Sequence, residues 1–198
     1  MPLGVKLVPL PESREELQSL ARPLNAGDGS LLVDPDATET RVKAAPLSDY
    51  QVVAFATHGL VAGELAGVSE PALVLTPPAE GTETDDGLLT ASEVAQLKLN
   101  ADWVILSACN TAAADGTPGA NGLSGLAKAF FYAGSRALLV SHWPVVSDAA
   151  VALTTRMLST AKTGLTRAEA HRRAMMAMID TGPAQNAHPA LWAPFVVV

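Results

Sequence analysis

Residues Trp103–Thr111 read WVILSACNT. A continuous apolar run that stops at small polar residues reads as a β-strand buried on both faces. Upstream, Val52–Gly59 reads VVAFATHG, a second run of this kind that ends in a histidine. Ala137–Ser141 (ALLVS) and Phe195–Val198 (FVVV) are two more, and Leu31–Asp34 (LLVD) is a weaker fifth. Segments of helical period lie between them. Ser13 with Glu16, Thr90 with Glu93 and Thr166 with Glu169 have the spacing of capping boxes, and Gly134, Gly164 and Gly182 sit where helices would end. Strands alternating with helices imply a mostly parallel central sheet flanked by helices, an α/β three-layer arrangement. Ala72–Thr76 (ALVLT), a loop, and then Gly87–Thr90 (GLLT) read as a small hairpin beside that sheet.

A chain of 198 residues suits one domain, residues 1–198, and buries roughly 70% of its unfolded surface. Hydrophobic residues make up 48% and charged residues 17%, which excludes global disorder. The net charge of −7 gives no basic footprint, so no nucleic-acid partner is expected. The single cysteine excludes an intrachain disulfide framework and a multi-cysteine zinc site. The N-terminus MPLGVKLVPLPESREE lacks a signal-peptide pattern, and no run reaches the roughly 20 apolar residues of a membrane span. The expectation is a soluble, cytoplasmic protein with no membrane partner.

Two loops read as mobile. Pro77–Gly87 (PPAEGTETDDG) is acidic and rich in turn formers, and Thr111–Gly122 (TAAADGTPGANG) is small and polar. The acidic run lacks the ligand spacing of a calcium loop, so it reads as a solvated loop and no metal is expected.

Chemistry enters at the strand ends. His58 follows one apolar strand and Cys109 follows another. In parallel α/β sheets, sites form outside the carboxyl edge. If the two strands are neighbours, their axes lie about 4.8 Å apart and the imidazole and thiol come within reach of each other. A thiol needs a base or a cation beside it, because the thiolate is the nucleophile. The backbone N–H groups of Gly59 and Cys109 are candidates for an oxyanion hole. The plainer reading is a cysteine that is only a small buried hydrophobe at the end of a strand. His142 also follows a strand but is followed by Trp143 and Pro144, with no glycine to open a site, and ranks below His58. His171 and His188 read as structural or surface histidines. There is no G-x-S-x-G elbow, phosphate-binding glycine loop or H-E-x-x-H motif.

Five segments together carry a resemblance: ATHG (Ala56–Gly59), DGLLTASEVAQL (Asp86–Leu97), ADWVILSACNT (Ala101–Thr111), GLSGLAKAFFYAGSRALLVSHWPV (Gly122–Val145) and HPALWAPFVVV (His188–Val198). The sequence resembles the CHAT domain family from about Leu10 to Val198. These are caspase-like cysteine peptidases, related in fold to caspases, separases and gingipains and often fused to tetratricopeptide repeats. The resemblance implies a caspase-like three-layer sandwich, with His58 as the catalytic histidine and Cys109 as the nucleophile. Gly59 matches the glycine whose N–H helps bind the oxyanion. His142–Asp148 matches a loop that helps line the substrate cleft. The implied reaction is peptide-bond hydrolysis of a protein substrate through a thioester. No cofactor is needed, and attached repeats or another regulatory module often gate the activity.

The chain departs from the family pattern in three places. Ala120-Asn121-Gly122 stands where a Gly-Glu-Gly element is common, and Val146-Ser147-Asp148 keeps one acidic residue where two are common. Asp148 and Asp115 are the remaining candidates to meet a basic substrate side chain, beside plainer readings as a helix N-cap and an exposed loop residue. The resemblance also implies a further central strand ahead of the first helix. Either Val5–Val8 supplies it or the chain is a fragment of a longer protein, and a fragment is the expectation. Two rival functions follow. One is a catalytically silent caspase-like interaction module that needs a partner or a missing segment. The other is a small-molecule hydrolase using the same dyad, which a deep closed pocket would favour.

Overall fold

The computed structural model describes residues 10–64, 67–82, 84–107, 125–143 and 147–198. In chain order the elements are α1 (Ser13–Leu24), α2 (Glu39–Ala44), β1 (Val52–Ala56), β2 (Gly59–Leu60), β3 (Ala72–Val74), β4 (Leu88–Thr90), α3 (Ala91–Val94), β5 (Trp103–Ser107), α4 (Gly125–Tyr132), β6 (Leu138–Ser141), α5 (Ser147–Ala161), α6 (Arg167–Asp180), α7 (Pro189–Trp192) and β7 (Phe195–Val197). The main sheet has the order β1-β5-β6-β7; its first three strands are parallel and β7 is antiparallel at the edge. This is a mixed α/β fold with a mostly parallel central sheet flanked by helices, consistent with a caspase-like sandwich.

The apolar runs fold as strands because both of their faces are covered. On one face, Val53, Phe55, Val104, Leu106, Leu138 and Val140 pack with Leu126 and Phe130 of α4. The Phe55 and Phe130 rings lie 5.5 Å apart, inside the range of favourable aromatic pairs. On the other face, Trp103, Ile105 and Leu139 pack with Leu20 of α1, Leu153 and Met157 of α5, and Ala174 of α6. Side chains alternate along a strand, so consecutive residues of β5 feed opposite cores, and an unbroken apolar run is the required pattern.

The expected hairpin is present: β3 pairs antiparallel with β4, and β2 pairs with β3 to make a second, three-stranded sheet. The LLVD segment is not a strand. Leu31–Val33 have no strand partner among the described residues, and Asp34 takes a left-handed φ of 50° before Pro35, which turns the chain into a short 3-10 segment over Asp34–Asp36. Left-handed backbone ends an extended run.

Among the capping boxes, Thr90 and Glu93 form both reciprocal bonds. At Thr166 only half forms: its side chain accepts from the Glu169 N–H, while the Glu169 carboxylate turns to Arg172 and Arg173. At α1 the box is absent. Ser13 Oγ donates to the Leu10 carbonyl (2.8 Å), and Glu16 turns into the protein.

The acidic loop is not simply solvated. Its residues 79–82 are exposed, but its second half is fixed to α2. The Glu39 carboxylate, 1% exposed, accepts the N–H groups of Asp86 (2.7 Å), Gly87 (2.7 Å) and Leu88 (3.2 Å). Asp85 accepts from the N–H and hydroxyl of Thr40. Lys43 bridges Glu39 (2.8 Å) and Glu93 (2.7 Å) and donates to the Thr84 carbonyl. Gly87 has φ 88°, and a Cβ there would stand 2.8 Å from Pro77 Cβ, so the turn that closes the loop requires glycine. The other loop expected to be mobile, Thr111–Gly122, lies outside the described residues.

Among the described residues, β1 has a strand partner only on its β5 side. Along its other side runs a cleft of about 860 Å3, framed by Leu17 and Ala21 of α1, Leu32, Val74 and Leu75, with His58 at one end. Val5–Val8, the stretch expected to supply a further strand, lies outside the described residues. No helix among the described residues is long and apolar enough to cross a membrane.

Candidate active site

The strand pairing brings the two chemical segments to one edge. β1 and β5 are parallel neighbours, and their register sets Ala56 opposite Ser107. His58 is the second residue past Ala56, and Cys109 is the second residue past Ser107. The offset from the shared row is therefore the same on both strands. β6 continues the row: Leu106 is level with Val140, so Ser107 is followed across the sheet by Ser141. The carboxyl ends of β1, β5 and β6 thus form one ledge, each step about 4.8 Å wide. Ser107 is half-buried, and Ser141 is buried at 3% exposed.

The backbone around His58 is fixed from the hairpin. Thr57 Oγ1 donates to the Val74 carbonyl, and the Val74 N–H donates to the His58 carbonyl (2.9 Å). His58 itself is half-buried. A trans peptide points its C=O and N–H in opposite directions. Because the His58 carbonyl faces β3, the Gly59 N–H of the same peptide is turned away from the hairpin. β2 then begins at Gly59, opposite Leu73. The small second sheet therefore holds the histidine segment as it leaves the ledge.

The remaining sequence candidates fall as follows. Cys109 and Asp115 lie outside the described residues. His142 is exposed, and its backbone N–H donates to the Pro194 carbonyl (3.0 Å). Trp143 is 41% exposed, and its indole N–H reaches the Ala190 carbonyl at 3.4 Å. Both sit at the end of β6, two strands from β1 and beside the segment that leads into β7. Asp148 is exposed in the first turn of α5. Away from the ledge, His171 is buried in α6 and burial lowers its pKa, while the His188 ring caps α7 by accepting the Ala190 N–H (3.2 Å).

One residue at the ledge was not singled out from the sequence as part of a site. Glu16 is 4% exposed, and its Oε1 is buried without a hydrogen-bond partner among the described residues. Burial raises its pKa, and the nearby Ser107 side chain opposes that rise. The available signal was a charged residue at the head of an apolar stripe, since Glu16, Leu20 and Leu24 recur every fourth residue. Among the described residues no group of three or more His, Cys, Asp or Glu side chains can hold a metal ion.

The chain matches the CHAT domain model over residues 3–198. It is 30% identical over 224 aligned positions to tetratricopeptide repeat protein 28 of Mus musculus, and 29% identical to the protein of the same name from Homo sapiens. Each alignment covers 96% of this chain but 8% of the relative, so the chain spans a small part of the curated relatives it matches.

Proposed function

The chain belongs to the CHAT domain family, and from that premise we propose that it is a cysteine endopeptidase acting through His58 and Cys109. The observation that supports this reading is the Ala56–Ser107 register, which gives both residues the same offset from one ledge. The Cys109 thiol passes its proton to the His58 imidazole, and the sulfur attacks the scissile carbonyl carbon. The backbone N–H groups of Gly59 and Cys109 hold the oxyanion. The tetrahedral intermediate collapses to a thioester as His58 returns the proton to the leaving amine. Water then attacks the thioester carbon, His58 takes its proton, and the carboxylic acid and free thiol are released. Trp143, His142, Asp148 and Asp115 are assigned to the flanks of the substrate cleft, with the two aspartates meeting a basic side chain. No cofactor takes part. The test is turnover of a peptide and protein substrate panel by wild type, His58→Ala and Cys109→Ala. Loss of turnover in both folded variants is expected, and full activity in either contradicts the assignment.

A second reading is favoured by the cleft along β1 and by the relatives. In it the domain is a caspase-like interaction module whose chemistry is silent until a regulatory module, such as tetratricopeptide repeats, engages it. Stable capture of a repeat module with no turnover before or after binding would favour this reading.

A further inference from the structure

The helices α1, α5 and α6 cover the same face of the main sheet and leave a cavity of about 590 Å3 between them. Each helix lends it one face: Ser19 and Arg22 of α1, Ala152 and Arg156 of α5, Ala177 and Thr181 of α6. Residues three or four apart stand together on a helix, so each pair is one turn of wall. The turn through Pro183 and Asn186 completes the lining. Gly182 is required at the end of α6, because a Cβ there would stand 2.7 Å from the Met178 carbonyl oxygen. Among the described residues, the cavity shares no residue with the cleft beside β1. Its lining carries two guanidinium groups and, among the described residues, no carboxylate. The chain has eight arginines. Six of them, Arg14, Arg41, Arg136, Arg167, Arg172 and Arg173, are ion-paired with Asp or Glu. Arg22 and Arg156 have no such partner among the described residues, and these are the two that line the cavity. Carboxylates outnumber basic side chains in this chain by 20 to 13, so an unpaired arginine is the scarce case, and both stand here. Lys162 adds a cation next to them: its Nζ donates to the carbonyl of Pro23, the residue after Arg22 (2.7 Å).

We propose that this cavity binds a small phosphate monoester, held between Arg22 and Arg156. A guanidinium presents a fixed fork of N–H donors that matches phosphate oxygens, and two unit cations balance one phosphate dianion. A single carboxylate would leave one of the two cations unmatched. Ser159 and Thr181 spend their hydroxyls on the Arg156 and Ala177 carbonyls. Ser19 and Asn186 keep their side chains without hydrogen-bond partners among the described residues, and they supply donors for the remaining oxygens. Val151, Met178 and Pro183 give an apolar side for the body that carries the phosphate, and the volume is that of a small-molecule site. A dianion held this way bridges α1 and α5, so its binding stabilises the fold. The site is independent of the dyad reading of His58 and Cys109.

The experiment is a calorimetric titration of the full chain with phenyl phosphate at about 0.15 M salt, where long-range attraction between exposed charges is largely screened. Benzoate, which carries one charge on a similar ring, is titrated in parallel. The proteins are wild type, Arg22→Ala, Arg156→Ala and Arg136→Ala. Wild type should bind phenyl phosphate saturably with a Kd of about 1 mM or tighter. Arg22→Ala and Arg156→Ala should each weaken binding by about tenfold or more, the scale of losing one charged hydrogen bond. Both side chains are exposed, so both variants should keep the thermal midpoint of the unliganded wild type. Arg136→Ala should bind as wild type does, because that guanidinium meets Asn100 and Asp102 instead of the cavity. Affinity should fall as the pH drops through about 6, where the phosphate takes up its second proton. No saturable binding of phenyl phosphate would overturn the proposal. So would binding that both Arg22→Ala and Arg156→Ala leave unchanged, or benzoate bound as tightly as phenyl phosphate. None of these readings depends on His58 or Cys109.

Discussion

Two buried glutamates on different elements show how differently the same side chain can be met by its surroundings. Glu39 begins α2 and is met on every side: three consecutive N–H groups of the loop before β4, and Lys43 one turn along its own helix. Glu16 lies in the first turns of α1, with a buried oxygen left without a partner among the described residues. The first arrangement recovers through hydrogen bonds what burial of a carboxylate costs. The second leaves that cost in place.

The largest expected effect is on Glu39. Glu39→Ala removes the acceptor for three N–H groups and one of the two carboxylate partners of Lys43, and stranding buried polar groups of this kind costs about 3–5 kcal/mol. At roughly 2–4 °C per kcal/mol for a chain of this size, the thermal midpoint should fall by about 10 °C. An unchanged midpoint would end the contrast between the two glutamates. Gly87→Ala comes next, because the added Cβ meets Pro77 at 2.8 Å and the residue holds a positive φ. A loss of about 2 kcal/mol is expected in denaturant titration.

The third effect is on pH dependence, and it has opposite signs in the two regions. Glu16 has its folded pKa raised above the ordinary 4.5 by burial. Its protonated form is the one folding favours, so its contribution is complete below about pH 4.5 and fades as pH rises through the folded value. Glu93 feels burial too, but Lys43 and the N–H and hydroxyl of Thr90 outweigh it and hold its carboxyl low. Its contribution is complete above about pH 4.5 and fades as pH falls through the folded value. Denaturant titrations from acid to neutral pH should therefore show Glu16→Gln gaining on wild type as pH rises, and Glu93→Gln closing its deficit as pH falls. Parallel curves for both variants would refute the assignment. The smallest effect belongs to Glu169, whose carboxyl is held at about 2 by Arg172 and Arg173 on an open surface. Solvent screens such pairs, and Glu169→Ala should leave the thermal midpoint nearly unchanged.

The same contrast explains what the sequence makes legible. VVAFA, WVILS and LLVS are strands to within a residue of their apolar runs, because a two-sided core demands an unbroken pattern. The equal offsets of His58 and Cys109 from their strands can be read directly, and pairing β1 with β5 turns those offsets into a common ledge. LLVD has the composition of a strand, but Asp34 before Pro35 turns left-handed and no strand among the described residues pairs with it. The tether of the acidic loop is invisible locally, since Glu39 and Thr40 reach it from more than forty residues away. Ser13 and Glu16 have the spacing of a capping box, yet Ser13 bonds back to Leu10 and Glu16 turns into the protein. Local spacing identifies the groups that can bond, and packing across the sheet selects the partner.

The central claim is that His58 and Cys109 act as one unit. Its most direct test is the pH profile of Cys109 alkylation by iodoacetamide in wild type and His58→Ala. A lone thiol titrates near about 8.5, and a histidine-paired one falls several units lower. The account predicts fast alkylation that persists below neutral pH in wild type and is lost in His58→Ala. A slow wild-type reaction with an ordinary thiol profile, unchanged by His58→Ala, would contradict it.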